Sequence, residues 1–261
     1  MTTSPGRVDG STRGARWRNG LLLLALLAPL AALLSVPPFV DPPGSLDYAD
    51  RRTFFGIPNF MDVVSNLPYL LIGVAGVRAV LESPSRRSRP AWTVFFSSIA
   101  LVSFGSAWFH WNPSSETIVW DRLPMVLAFT GLLTALLSDY VSERLSSLLI
   151  PAAIVGVASV LYGHAQADLR LYAWVQLLPL LAILAIHLYP AKFTLRGYLL
   201  LGFGCYVLAK VVEVLDRQIL EITAGLVSGH TLKHLVSALG LWLLVVMVRR
   251  RTPLVGEKAP N

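Results

Sequence analysis

The chain has 261 residues, of which 54% are hydrophobic and 14% are charged. This balance is too apolar for a soluble domain of that length and is typical of a polytopic membrane protein. The formal net charge of +7 does not indicate nucleic-acid binding, because most lysines and arginines lie in short loops and near the two termini. The single cysteine, Cys205, excludes a disulfide framework within the chain and a cysteine-rich zinc site.

Eight segments are predicted to be membrane helices, because a span needs about 20 mainly apolar residues. In chain order they are 19–37, 59–82, 91–111, 117–138, 145–163, 171–190, 196–215 and 230–248. The connections are short apart from 38–58, so we predict one all-α integral membrane protein, a seven-helix transmembrane bundle with an additional N-terminal transmembrane helix. Pro68, Pro124 and Pro179 fall inside spans and are expected to kink them.

The first predicted span resembles a signal peptide, because arginines at 7, 13, 16 and 18 precede it. No clear small-x-small cleavage site precedes Pro37 and Pro38, which favours a retained helix; cleavage would leave seven spans in the same orientation. The predicted divisions are a basic cytoplasmic tail, an N-terminal transmembrane helix, a seven-helix domain and a second cytoplasmic tail. They cover 1–18, 19–37, 38–250 and 251–261.

Positive charge predicts the orientation of the spans. The loops after the second, sixth and last spans are basic and fall on one side, together with the N-terminus and Arg144, so this side is predicted to be cytoplasmic. The basic residues of these loops are Arg86, Arg87, Arg89, Lys192, Arg196, Arg249, Arg250 and Arg251. The opposite loops carry Arg51, Arg52, Arg170 and Arg217. Both termini are therefore predicted to lie inside.

Three histidines lie at the ends of predicted spans. His110 closes the run Ser106-Ala-Trp-Phe-His110, and His230-Thr-Leu-Lys-His234 opens the last span. The predicted orientation brings all three near the outer face, where polar groups at one depth indicate a functional site. His230 and His234 share a helix face, and three imidazoles can bind zinc with one coordination position left for water.

Two further residues are predicted to accompany this metal. Ser106 lies one helical turn before His110, and Asp121 begins the next span, so both belong to the same outer layer. Zinc lowers the pKa of bound water, Asp121 can then accept its proton as a general base, and Ser106 can donate a hydrogen bond to a developing oxyanion. The set predicts metal-assisted hydrolysis of an acyl bond.

Other interpretations stay open. A transmembrane histidine often makes only interhelical hydrogen bonds, and paired histidines can bind haem, although haem gives Ser106 and Asp121 no role. Zinc can also brace a receptor-like or structural protein without turnover. A transporter is disfavoured by the lack of an internal repeat and by the clustering of polar groups at one face. His164 and His187 are expected to be incidental.

A second set of polar residues lies on the last two predicted spans. Lys210 and Glu213 are three positions apart and are predicted to pair, mainly to stabilise the bundle; a role of this stripe, which includes Asp216, beside a histidine stays open. Lys233 is expected either to contact an anionic lipid headgroup or to extend to the interface. Asp62 is predicted to be buried and hydrogen-bonded.

The order of these motifs resembles the alkaline ceramidase family and its wider superfamily of seven-helix membrane hydrolases. The shared pattern is a serine and a histidine four positions apart, an aspartate eleven positions later and a C-terminal histidine pair, here Ser106, His110, Asp121, His230 and His234. The runs 120–125 and 227–234 are similar to bacterial ceramidase-like members, and the likeness covers roughly 45–250. The additional N-terminal span is a departure from the seven-helix core.

The resemblance implies a catalytic zinc on the three histidines and a catalytic domain at 38–250. It also implies hydrolysis of the amide bond of ceramide-like lipids to a fatty acid and a sphingoid base, with hydrolysis of another acyl lipid as the alternative. We therefore predict an integral protein of a bacterial inner membrane, with both termini cytoplasmic, a membrane lipid as substrate and a site near the outer face.

The resemblance further implies a regulatory calcium before the first core helix. Asp47 and Asp50 match acidic ligands, the backbone of Tyr48 matches a carbonyl ligand, and oxygen atoms of this kind suit calcium. Asn59 and Arg52 stand where the family pattern has ligands, and they depart from it. Positions 47, 48 and 50 thus match the pattern, and positions 52 and 59 do not.

Overall fold

The computed structural model describes residues 9–42, 44, 46–83 and 87–254, with side chains from residue 14 onwards. Arg7, Arg86, residues 1–8 of the first predicted tail and residues 255–261 of the second lie outside the described residues. The described chain forms ten α-helices and no β-strand. The helices are α1 (Asp9–Leu34), α2 (Phe60–Val64), α3 (Leu67–Glu82), α4 (Arg89–Trp111), α5 (Ile118–Leu136), α6 (Leu149–Gln166), α7 (Arg170–Ala185), α8 (Gly197–Val214), α9 (Asp216–Ile222) and α10 (Gly229–Arg250).

Eight helical segments of the described chain are long and apolar enough to cross a membrane, which confirms the predicted all-α membrane bundle. They are Gly14–Leu34, Phe60–Glu82, Arg89–Trp111, Ile118–Val141, Glu143–Gln166, Arg170–Leu188, Gly197–Val214 and Gly229–Arg250. The predicted bounds agree within a few residues for most spans. The first helix begins earlier than predicted and ends at Leu34, short of Pro37 and Pro38, because a residue before proline disfavours helical backbone.

The second predicted span consists of two helices. The regular α-helix is interrupted at Ser65 and Asn66, where the backbone stays in the right-handed region but Asn66 bonds to Val63, three positions earlier. Pro68 lies in the first turn of α3, where its missing N–H has no helical partner to lose. Pro124 and Pro179 lie inside α5 and α7, which continue beyond them. The interruption at 65–66 matters because it brings polar side chains into the bundle interior.

The centre of the bundle is the antiparallel pair α4 and α5. The two helices pack closely near their connecting turn, where a Cβ on Gly105 would overlap the backbone carbonyl of Trp120. At the other end of α5, buried Asp139 accepts hydrogen bonds from Arg251 (2.6 Å) and from the Trp92 indole (2.9 Å). The start of α5 is thus held against the end of α4, and its far end is tied to the end of α10.

The additional helix α1 lies on the outside of the bundle and packs against α7. The Trp174 indole donates to the Leu26 carbonyl (2.8 Å), and the Tyr189 hydroxyl donates to Asn19 (2.8 Å). Most apolar side chains of α1 remain exposed, as expected for a helix that faces lipid. The remaining seven spans form the predicted seven-helix core.

Candidate metal centre and active site

The three predicted histidines converge at the end of the bundle where α4 ends and α10 begins. Their exposed fractions are 1% for His110, 2% for His230 and 2% for His234. One ring nitrogen of each lies within 4.8 Å of those of the other two, and among the described residues they are the one group of three that could hold a metal ion. Two helices that are distant in sequence therefore meet at a single point.

The nitrogen geometry is compatible with a shared metal ion. The Nε2 atoms of His110 and His230 are 3.1 Å apart, and a tetrahedron with zinc–nitrogen bonds of about 2.1 Å would place them roughly 3.4 Å apart. The two nitrogens can share at most one hydrogen, whereas a common cation satisfies both. His110 Nδ1 is buried without a hydrogen-bond partner, so no hydrogen bond at this nitrogen orients the ring. The other nitrogen, Nε2, faces His230.

His234 is oriented by a serine from the interrupted second span. Its Nδ1 atom lies 2.7 Å from the Ser65 hydroxyl, which in turn donates to the Asp62 carbonyl. Ser65 therefore accepts the hydrogen of Nδ1, and the tautomer that results leaves Nε2 as the free ligand atom. Metal-binding histidines usually have a partner of this kind, which fixes both the ring and its tautomer.

Backbone contacts position the other two histidines. Asp216 accepts hydrogen bonds from the backbone N–H groups of His230 (2.7 Å) and Ala49 (2.8 Å), so one carboxylate joins the start of α10 to the outer loop. The Asn59 amide donates to the His110 carbonyl (2.8 Å). Asp216 thus has a role beside a histidine, which the sequence analysis had left open.

Residues of α2 and α8 also contact the start of α10. Asp62 is buried, as predicted, and it accepts hydrogen bonds from Thr231 (2.7 Å) and Ser228 (3.4 Å), while Ser228 caps the helix. Position 229 must be glycine, because a Cβ there would overlap the Val212 carbonyl oxygen. The backbone before His230 is therefore packed too tightly for the ring to move far.

A cavity of about 490 Å³ opens beside the histidines. His234, Ser106 and Asp121 all line it, and the Ser106 hydroxyl interacts with the Asp121 carboxylate. Farther from the histidines its wall is almost wholly apolar. The apolar lining includes Phe95, Ile99, Leu132, Ile183, Leu199 and Leu244. The cavity can therefore hold a long apolar chain with its polar end at the candidate metal centre.

The side chain of Tyr48 belongs to the site, although only its backbone carbonyl was predicted to have a role, as a calcium ligand. Its ring contacts those of His230 and His110, with centroid separations of 4.2 and 4.7 Å, and it lines the cavity. Burial raises the pKa of the Tyr48 phenol, and the nearby carboxylate of Asp121 raises it further, so the hydroxyl remains a hydrogen-bond donor. A tyrosine in a loop carries no sequence signal for such a position.

The comparison with protein families agrees with this geometry. The ceramidase family model matches residues 54–255, which is more than half of the chain. The chain belongs to the ceramidase family. Its members hydrolyse ceramide, so this chain is a hydrolase that acts on amide bonds. No match was found among curated proteins. The match includes every predicted histidine, Ser106 and Asp121, and it begins after the loop that contains Asp47 and Asp50.

The predicted calcium ligands Asp47 and Asp50 contact arginines in this structure, and calcium binding by them stays a prediction. Asp50 is buried, and both of its oxygens accept hydrogen bonds from the Arg52 guanidinium, at 2.8 and 2.6 Å. Asp47 forms ion pairs with Arg51 and Arg217. Burial raises the pKa of Asp50, but the hydrogen bonds and charge of Arg52 outweigh burial and hold that pKa below its usual value. Both carboxylates already have cationic partners.

Arg52 does more than neutralise Asp50. Its guanidinium also donates to the backbone carbonyls of Gly225 and Leu226, in the loop before α10. It therefore joins the outer loop that carries Tyr48 to the segment that leads into His230.

We expect Arg52→Ala to lower the free energy of unfolding by about 2–3 kcal/mol, because buried Asp50 loses its charged hydrogen bonds. Because the folded pKa of Asp50 is depressed, the contribution is fully present above its unfolded pKa and is lost as the pH falls through the folded pKa. Thermal unfolding in detergent measures the change, and Arg51→Ala, which removes an exposed partner, is the control. Calcium or a chelator that shifts the wild-type Tm would contradict this account.

The remaining predicted polar residues fall into two groups. Lys210 and Glu213 form the predicted ion pair (2.7 Å), and Lys233 also pairs with Glu213 (2.9 Å). The His187 ring donates from Nδ1 to the Ile183 carbonyl one turn earlier, and His164 is exposed. Neither of these two histidines contributes to the candidate metal centre.

We expect Ser65→Ala to reduce the affinity for zinc by about tenfold, because His234 loses the group that fixes its tautomer. Competition with a chromogenic chelator measures the affinity of the purified protein. Ser159→Ala is the matched control, since Ser159 is equally buried but donates to the Gly156 carbonyl within α6. Equal affinities in wild type and Ser65→Ala would remove Ser65 from the metal centre.

Proposed function

We propose that this ceramidase is a zinc-dependent hydrolase of ceramide-like lipids, which releases a fatty acid and a sphingoid base. The observation that carries the proposal is the group of three buried histidines with nitrogens within 4.8 Å of one another, one of which, His234, lines a cavity together with Ser106 and Asp121. A zinc ion held by His110, His230 and His234 supplies Lewis acidity, which polarises a carbonyl group and lowers the pKa of water.

The roles of the protein residues follow from their positions. Asp121 accepts the proton of the attacking water and returns it to the nitrogen of the departing amine, which balances the hydrolysis of one amide bond. Ser106, which interacts with that carboxylate, orients it and can donate a hydrogen bond to the oxygen of the tetrahedral centre. The Tyr48 hydroxyl is a second neutral donor beside the two histidines that its ring contacts.

The shape of the cavity supports a lipid substrate. Its polar groups lie beside the histidines, and its apolar lining continues into the bundle to Leu199 and Leu244. An acyl chain buried there places its amide carbonyl beside the ligand nitrogens, and the rest of the cavity keeps bulk water away from the chain. A substrate that already resides in the bilayer reaches such a site without crossing water.

The test is lipid mass spectrometry of purified protein incubated with ceramides, phytoceramides and other N-acyl lipids. We expect release of fatty acid and sphingoid base from at least one ceramide, with loss of activity on zinc removal and recovery on zinc addition. Turnover confined to ester lipids would favour the alternative acyl-lipid hydrolase. No turnover of any acyl lipid by zinc-loaded protein would favour a receptor-like or structural role.

We also propose that the site faces the outside of a bacterial inner membrane and that both termini are cytoplasmic. The support is the distribution of positive charge, since α10 begins at the histidines and ends at Arg249, Arg250 and Arg251. A C-terminal phosphatase fusion is expected to be inactive, and a C-terminal green fluorescent protein fusion is expected to be fluorescent. An active phosphatase at the C-terminus would reverse the orientation.

A further inference from the structure

Two lysines share one carboxylate on the wall of the cavity. Lys210 donates to one oxygen of Glu213 (2.7 Å), and Lys233 donates to the other (2.9 Å). Both oxygens of the carboxylate are therefore engaged, and a single negative charge faces two positive ones. This group is called here the Lys–Glu–Lys cluster. With two lysines and one glutamate it has a net charge of +1.

The excess charge lies beside the active site. All three members of the Lys–Glu–Lys cluster line the same cavity as His234 and Asp121. Lys233 is the less exposed lysine, with 22% of its side chain accessible compared with 50% for Lys210. An ammonium group with so little access to solvent depends on nearby anions for its stability, because electrostatic interactions are stronger where water is excluded.

The other charged groups that line the cavity are Arg122, Asp41 and Asp121. Arg122 forms an ion pair with Asp41, and that pair is neutral as a unit. The charges of Asp121 and Lys233 also interact, so the excess positive charge is available to a ligand when the divalent ion proposed for the histidines attracts the Asp121 carboxylate. The charge left over in the Lys–Glu–Lys cluster thus matches an anionic group that arrives with a ligand.

We infer that Lys210 and Lys233 form an anion subsite for the headgroup of the substrate, an N-acyl lipid whose non-acyl part carries a phosphate or a carboxylate. The inference rests on the proposed hydrolase function and specifies its substrate class. The apolar end of the cavity, which includes Leu199 and Leu244, takes the acyl chain, so the charged end of the lipid belongs near the histidines. Ammonium groups and phosphate or carboxylate oxygens form strong charge-assisted hydrogen bonds.

The test compares three substrates: N-palmitoylsphingosine, its 1-phosphate as the matched phosphate, and N-palmitoylglycine as a carboxylate. We expect wild type to hydrolyse the anionic lipids with about tenfold higher kcat/KM than the neutral one, and Lys233→Met to remove that ratio, chiefly through KM. Lys233→Met leaves Glu213 paired with Lys210, so the carboxylate does not become unpaired. Lys192→Met, which removes a lysine before α8, is the control and is expected to keep the ratio.

A binding measurement separates the subsite from catalysis and from the product. Hexadecyl phosphate is expected to raise the Tm of wild type more than that of Lys233→Met, whereas hexadecanol is expected to affect both equally. If the Tm shifts are as expected but no lipid is hydrolysed, the subsite is supported and the proposed hydrolase function is rejected. If Lys233→Met weakens inhibition by palmitate but leaves the headgroup ratio unchanged, the lysines bind the product carboxylate and the headgroup assignment is wrong. Equal ratios and equal Tm shifts in both proteins overturn the subsite itself.

Discussion

Replacement of both His230 and His234 by alanine is expected to abolish zinc binding, from about one tightly bound ion per chain to less than about 0.1. The reason is that a three-nitrogen site keeps only the ring of His110, and a single imidazole does not hold zinc against competing water. Elemental analysis of purified protein after dialysis measures the stoichiometry.

The control for that experiment is the pair His164→Ala and His187→Ala, which removes two imidazoles outside the cluster. His187 contacts the Ile183 carbonyl one turn earlier, and His164 is exposed, so zinc is expected to remain. Wild-type protein without zinc, or a His230 and His234 double variant with full zinc content, would refute the metal centre.

Replacement of Asp121 by alanine is expected to leave zinc in place and to reduce ceramide hydrolysis by about 10²–10⁴-fold, the usual contribution of a general acid–base residue. Asp121 lies on the cavity wall beside Ser106 but is not one of the three grouped ligand residues. Lipid mass spectrometry gives the rate, and elemental analysis of the same sample gives the metal content.

Glu116→Gln is the matched control for Asp121, because it alters an exposed carboxylate in the same turn between α4 and α5. The Glu116 side chain contacts Ser115 in that turn, so its loss is expected to leave the rate unchanged. Hydrolysis by Asp121→Ala at a rate comparable to wild type would show that another group moves the proton. Loss of zinc in the same variant would make Asp121 a ligand and not a base.

The spans and their polar ends could be predicted from the sequence. The length and apolar character of a span are local properties, so eight spans could be counted and most of their bounds placed within a few residues. Because successive spans alternate in direction, His110, Asp121 and His230 were expected at one end of the bundle. The structure brings His110 and His230 together and places Asp121 on the wall of the cavity that His234 also lines.

The contacts that orient this site could not be predicted. Ser65 reaches His234 across 169 positions of sequence, and only the break between α2 and α3 turns its hydroxyl inward. Arg52 is a departure from the family pattern in the sequence, but its cross-link to the carbonyls of Gly225 and Leu226 depends on how two loops pack. Periodicity within one segment contains no information about either contact.

The sequence by itself determined the class of fold and the candidate ligands. It did so through the length of the apolar segments, the alternation of span directions and the spacing of histidines within a helix, since each depends on residues close together in the chain. Tertiary packing alone decided which ring nitrogen faces the metal position, where the ring of Tyr48 lies and that Lys233 joins the ion pair of Lys210 and Glu213. Those features depend on side chains from different helices and loops, and the relative positions of these elements are set by the packing of the whole bundle.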